Sequence, residues 1–270
     1  MMRTFTILSL VAATSGVCVE RPNAPCPVDL GGGSGGDHKG DDFVILAESG
    51  ITTTSGSKIT GNMGVSPITF ASMTGWALTR GGSESGGEYA SSVDVTGKIY
   101  AADFTGNTPT KMTAAIGHMH HAFQVAAMRT TSIPSAQFLN YKGGLIEGQT
   151  FTKGVYTWKT NVEFTSEITI SGTATDVFIF QTTKDLVVGS GAEIKLEGAA
   201  LAKNIFWQVA GKVEVGTTAH VKGIFLVKTH ATFKTGSSLN GRVLSQTAVN
   251  LQSATVTPPP QPPTIVEDGP

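Results

Sequence analysis

The sequence predicts a mainly β fold, a solenoid of six coils with one long α-helix packed alongside and a capping region. Three observations predict it: an internal repeat, strands with unbroken apolar runs, and a single amphipathic segment of helical period. The repeat is read from a polar residue at Glu48, Lys159, Gln181, Gln208, Lys228 and Gln246. Each is preceded by an apolar run and followed, five positions on, by a residue expected to face inward: Thr53, Phe164, Leu186, Val213, Phe233 and Leu251. In four of the six a Gly-Ser/Thr step comes next, at Gly56-Ser57, Gly189-Ser190, Gly216-Thr217 and Gly236-Ser237. From Lys159 onward the repeat recurs after 22, 27, 20 and 18 residues. Units of this size, rich in strand formers and glycine corners, describe a solenoid, because each unit can bury its apolar face only against the next.

Taken in order, residues 1–17 read as a secretory signal, with Arg3 ahead of an apolar stretch from Phe5 to Ala13 that is too short to span a bilayer. The mature protein is therefore expected to be exported and soluble. The only cysteines are Cys18 and Cys26. They could close a small loop if cleavage spares Cys18, and otherwise leave Cys26 single. Residues 18–42 form a Gly-rich arm, in which GGGSGG contains GxSxG and GxGxxG by chance, without the strand, turn and helix that either mechanism requires.

The solenoid domain is expected over residues 43–257. Its first coil covers 43–62, and the run FVILA is continuous, so that strand is covered on both sides. Over 63–107 the repeat is lost, which suits a cap, since an open coil would present unpaired backbone. Residues 108–129 form the helix: Thr108 and Pro109 suit its start, and Met112, Ile116, Met119, Phe123 and Ala127 lie along one face. At ~1.5 Å per residue it spans ~30 Å, comparable with six coils ~4.7 Å apart. The remaining coils occupy 150–257, where VFIF, IFW, IFLV and VL put large apolar groups on successive residues; one side faces the interior and the other the helix. The tail, 258–270, is Pro-rich and cannot join a ladder.

Charged residues make up 14% of the chain and the formal net charge is −1, which gives no bulk attraction to nucleic acid or to an anionic membrane. Neither is an expected partner. His118, His120 and His121 sit on the helix without the further ligands a metal site needs, so exposed surface is expected there, with no metal, no cofactor and no catalytic residue.

Four longer stretches carry a resemblance. ILAESGITTTSGSKITGNMGVSPI, VTGKIYAADF with the helix after it, AKNIFWQVAGKVEVGTTAHVKGI and LNGRVLSQTAVNLQSATVT are similar, in this order, to the discontinuous β-solenoid ice-binding (antifreeze) proteins of diatoms, snow moulds and sea-ice bacteria. The likeness runs from about Val28 to Thr257; the Gly-rich arm, the insertion near Gly81 and the Pro-rich tail depart from it. It implies a right-handed parallel β-helix in which the N-terminal coil stacks on coils from the C-terminal part, bridged by the helix. It also implies that the partner is an ice surface, bound by a flat face.

In that family the binding face follows the helix-covered strand. Carried onto this chain it selects the small and hydroxylated residues two, four and six places after each polar residue: Gly50, Thr52, Thr54, Asn161, Thr165, Thr183, Ala210, His230, Thr232, Ala248 and Asn250. Glu163, Asp185 and Lys212 intrude on the set, so moderate thermal hysteresis is expected. A rival face comprises Ser57, Ser190, Thr217, Ser237 and Thr255, and Thr160, Thr182, Thr229 and Thr247 are expected to form an inward structural ladder. Two other classes compete: a β-helix carbohydrate-active enzyme, which would need acidic or basic groups gathered in a long cleft, and a structural or adhesive wall protein. Capped ends favour a monomer.

Overall fold

A computed structural model describes residues 25–31, 43–81, 87–129 and 138–259. The expected signal segment, most of the arm and nearly all of the tail lie outside these residues. Six coils are present. The N-terminal one consists of β1 (Phe43–Ala47), β2 (Gly50–Thr54) and β3 (Lys58–Ile59). After it come β4 (Asn62–Val65), β5 (Met73–Thr74), β6 (Thr79–Arg80), β7 (Ala90–Ser92), β8 (Val95–Ala101) and the helix α1 (Thr108–Met128).

A short β9 (Thr150–Phe151) leads into the C-terminal coils. These are β10 (Gly154–Trp158), β11 (Val162–Phe164) and β12 (Ile168–Gly172), then β13 (Phe178–Thr182), β14 (Leu186–Val188) and β15 (Ile194–Gly198). There follow β16 (Ile205–Val209), β17 (Val213–Val215), β18 (His220–Val227), β19 (Ala231–Phe233), β20 (Ser238–Ser245), β21 (Ala248–Gln252) and β22 (Thr255–Thr257). β18 and β20 each close one coil and open the next, turning the corner at Gly223 and Gly241, which are in register. A Cβ on Gly241 would lie 1.8 Å from the Gly223 carbonyl oxygen, so no other residue allows the two bends to nest.

All pairings between coils are parallel, and their order in space is not their order in sequence. Along the helix-covered face the strands run β10, β13, β16, β18, β20, β1 and β4. The N-terminal coil thus stacks on the C-terminal one, 198 positions separating Ile45 from its partner Val243. Val44 and the rest of β1 are fully enclosed, because the core lies on one side and α1 on the other.

The segment in which the sequence repeat fades is more regular than its side chains suggest. β4 pairs with β1, β5 with β2, and β8 with both β3 and β4, all in parallel. Residues 62–101 therefore add a partial seventh rung before β6 and β7 close that end with antiparallel pairs. Backbone pairing needs only an extended chain and inward apolar residues, here Met63, Val65, Met73 and Ile99, and so survives loss of the polar template.

Inside the coils, equivalent positions stack into ladders. Tyr156, Phe180, Trp207 and Phe225 share one register column, with stacked ring pairs at 5.3, 4.2 and 6.0 Å between centroids. Outside, α1 lies over the same sheet, burying Met112, Ala115, Met119, Ala122 and Ala126. The stripe is rotated from the one read in the sequence: Ile116 and Phe123 flank it and Ala127 is exposed. The sheet supplies the bulk, through Phe43, Tyr100, Ile179 and Phe206, so alanines are what let the helix approach. The Gln181 side chain fastens its end, donating to the carbonyls of Ala126 (2.5 Å) and Arg129 (2.7 Å).

Two of the helix histidines are less exposed than expected. His118 packs over Gly31, whose φ of +92° and missing Cβ leave room for the ring, and His120 Nε2 lies 2.5 Å from Glu48 Oε1. His121 is exposed. Cys26 is buried and disulfide-bonded; Cys18 lies outside the described residues.

Candidate functional site

The coils present three sheet faces, and one of them is closed by α1. A second is formed by β9, β12 and β15, continued by the first halves of β18 and β20 and by β22 and β3. It is studded with ion pairs: Lys222 with Glu193 at 3.2 Å, Lys195 with Glu197 at 3.3 Å, and Lys58 with Asp94. Of the rival set placed here, Ser57 and Ser237 turn inward and are buried, Ser57 lying 2.7 Å from the Thr53 hydroxyl. Ser190, Thr217 and Thr255 remain exposed.

The third face is a seven-stranded parallel sheet in the order β11, β14, β17, β19, β21, β2, β5. Its strands alternate buried and accessible residues, as a sheet packed on one side must. One inward column is Phe164, Val188, Val215, Phe233, Leu251 and Thr53. The central outward column is Glu163, Val187, Glu214, Thr232, Asn250, Thr52 and Thr74.

This register corrects the template in two coils. Gln181 and Gln208 are level with Thr157 and Leu226, two places before Lys159 and Lys228. Leu186 and Val213 are consequently level with Val162 and Ala231, and the true partners of Phe164 are Val188 and Val215. A two-residue slip keeps every inward residue inward, so the alternation that would expose a one-residue error says nothing about it. Thr183 and Ala210 therefore stand one place past Thr182 and Val209, at the corner beside the helix-covered strands. The expected threonine ladder fails for the same reason: Thr182 is level with Val209, and Thr160, Thr229 and Thr247 sit in the corners.

The other candidates divide into two groups. Thr52, Thr232, Ala248 and Asn250 lie on adjoining strands, with Thr54 at the end of β2 and His230 just before β19. Gly50 is in register with Ala248 but buried, because the Ser72 carbonyl sits where its Cβ would be, at 2.8 Å. At the far end, Asn161 is taken up by the scaffold: its Oδ1 accepts from the Asp185 N–H (3.4 Å) and its Nδ2 donates to Glu163 (3.2 Å). Thr165 is exposed and leans over Gly189. One residue that the sequence reading missed is Thr74 of the partial rung, which donates to the Thr52 hydroxyl at 3.2 Å. Nothing in the repeat pointed to it, because the template stops at residue 62.

Charge is unevenly spread on this face. Glu214 accepts from Lys234 and from Lys212 (3.1 Å), and these two partners hold its carboxyl below the usual range. Asp185 accepts from the Lys212 N–H at 2.9 Å. The three intruding charges are thus engaged on an open sheet rather than gathered in a cleft, and no cluster of three or more potential metal ligands occurs among the described residues.

Fold and face together define a parallel β-solenoid of discontinuous order that offers a ligand one uncovered sheet. The chain belongs to the ice-binding-like family, whose model matches residues 45–257. It is 36% identical to an ice-binding protein of Flammulina populicola, covering 95% of this chain and 98% of that one. It is 43% identical to ice-binding protein K3-B1 of Typhula ishikariensis, over 95% and 99% of the two chains. The solved structure of an ice-binding protein with antifreeze activity from an Arctic yeast superposes with a TM-score of 0.80 at 37% identity, covering 91% of this chain and 98% of that one. The Shewanella frigidimarina domain, at 24% identity and a TM-score of 0.75, bears on the fold alone.

Proposed function

We infer that the protein adsorbs to ice through its seven-stranded face, slowing crystal growth and recrystallisation with moderate thermal hysteresis. Ice offers no charge and no unique group, only a lattice of water. Affinity must come from a stiff, weakly polar array that orders water compatibly before it freezes on, so that little freedom is lost on adsorption. The outward column Thr232, Asn250, Thr52 and Thr74 is the observation that carries this reading. Its members recur at the strand spacing of ~4.7 Å on a backbone fixed by a packed core. Threonine suits the task, because its branched side chain has few rotamers and offers one methyl and one hydroxyl.

The irregularity of the array supports moderate rather than strong activity. Capped ends support action as a monomer, and the N-terminal segment supports export. The test is nanolitre osmometry with the purified mature chain. Wild type should shape single crystals and inhibit recrystallisation, and Ala248→Tyr should lower hysteresis sharply with an unchanged circular dichroism spectrum. Unaltered activity in that variant would move the site off this face, and a wild type without effect on ice would end the reading.

A further inference from the structure

Resting on that reading, we propose that adsorption is confined to the four strands β19, β21, β2 and β5, with Thr74 as the outermost binding residue and the Lys212–Glu214–Lys234 cluster as the border. Two independent observations define the two limits.

At the outer limit, the two-residue β5 is tied to β2 by backbone pairing, by a side-chain hydrogen bond and by a buried tryptophan. Thr74 is in register with Thr52 and bonded to it through the hydroxyls, while Met73 beside it is buried. Trp76, two residues on, is also buried and donates its indole N–H to the Ile51 carbonyl at 3.1 Å. Gly75 between them has φ +84°, and a Cβ there would stand 1.9 Å from the Thr53 carbonyl oxygen. The rung is thereby pressed against β2, and Thr74 is held to the same plane as the column it extends. The four rungs measure roughly 14 Å along the stack, and their strand residues are uncharged, with Lys234 of the border following directly after β19.

At the inner limit the surface changes character between β19 and β17. Glu214 takes the place in the column next to Thr232 and carries a lysine on each side. Water around a fixed charge points toward that charge, not toward lattice neighbours, and an ion stripped of it is penalised far more than a hydroxyl or a methyl. The lysine stems also keep rotamer freedom that adsorption would remove.

The experiment is a tyrosine scan of the outward column, read as hysteresis at fixed concentration, with melting curves as the check on folding. Thr232→Tyr and Thr74→Tyr should each lower hysteresis by roughly fivefold, and Glu163→Tyr and Val187→Tyr by less than about twofold. Thr74→Lys, which adds a charge at an exposed site without bulk against the core, should match Thr74→Tyr. Equal losses along the whole column would overturn the confinement and leave the face intact as the ice site. Loss at Thr232 without loss at either Thr74 variant would overturn the extension onto the partial rung. No loss at any position, in a wild type that still shapes ice, would overturn the face itself. Neutralising the border with Lys212→Thr, Glu214→Thr and Lys234→Thr together should raise hysteresis, and an unchanged or lower value would overturn the border.

Discussion

Arg242 Nη1 donates to the carbonyl oxygen of Phe43 at 2.8 Å, joining residues 199 positions apart. The bond crosses the junction at which the N-terminal coil stacks on the C-terminal one, just where Phe43 begins β1. Arg242 is 8% exposed, so its guanidinium has little water to turn to.

Arg242→Met should therefore loosen this junction more than an ordinary surface change. It leaves the Phe43 carbonyl short of a donor and replaces a buried, bonded charge with an apolar chain of similar length. A loss of about 2 kcal/mol is expected in urea unfolding.

The alanines on the buried stripe of α1 set its distance from the sheet. Ala122→Leu would add three methylene-sized groups against a surface already filled by aromatic and branched residues. Overpacking of this kind should destabilise by about 1–3 kcal/mol, read as a lower melting temperature, whereas Ala127→Leu on the exposed side should be close to neutral.

Register places Thr183 and Ala210 at the corner beside the helix-covered strands rather than in the outward column. Thr183→Tyr and Ala210→Tyr should leave thermal hysteresis within about twofold of wild type, in contrast to Ala248→Tyr. A strong loss in both would return these two residues to the site.

Glu214 ties acid stability to the border of the proposed ice-binding area. Hydrogen bonds from Lys234 and then Lys212 depress its pKa below the ordinary value of 4.5, so the unfolded chain takes up this proton first as the pH falls. Its stabilising contribution is present in full above that value and is lost as pH falls through the lower, folded pKa. Urea midpoints of wild type and Glu214→Gln should therefore differ at pH 7 and converge toward pH 3, approximately. A difference that grows on acidification would refute the assignment.

Local rules made much of the architecture readable. Glycine corners, unbroken apolar runs and the period of the helix are consequences of chain geometry within one coil, and six coils with one helix follow from them. The resemblance added the stacking of the first coil on the last, and the pairing of Ile45 with Val243 agrees. The uncovered face was legible where the polar residue of the template happened to mark the same rung, as for Thr52, Thr232, Ala248 and Asn250. The register was misread at Thr183 and Ala210, where Gln181 and Gln208 mark a position two residues earlier. Gln181 is there for another reason, since its amide holds the end of α1 and its Oε1 accepts from Thr157 at 2.6 Å.

By itself the sequence determined which residues of the uncovered sheet's short strands turn inward, because burial there alternates with a period of two. Only the tertiary structure decided which residues stand side by side. That depends on the number of residues each corner consumes and on contacts between segments nearly two hundred positions apart, neither of which leaves a periodic trace. The surface in which Thr74 joins Thr52, and in which Glu214 ends the uncharged area, exists only once the coils are stacked.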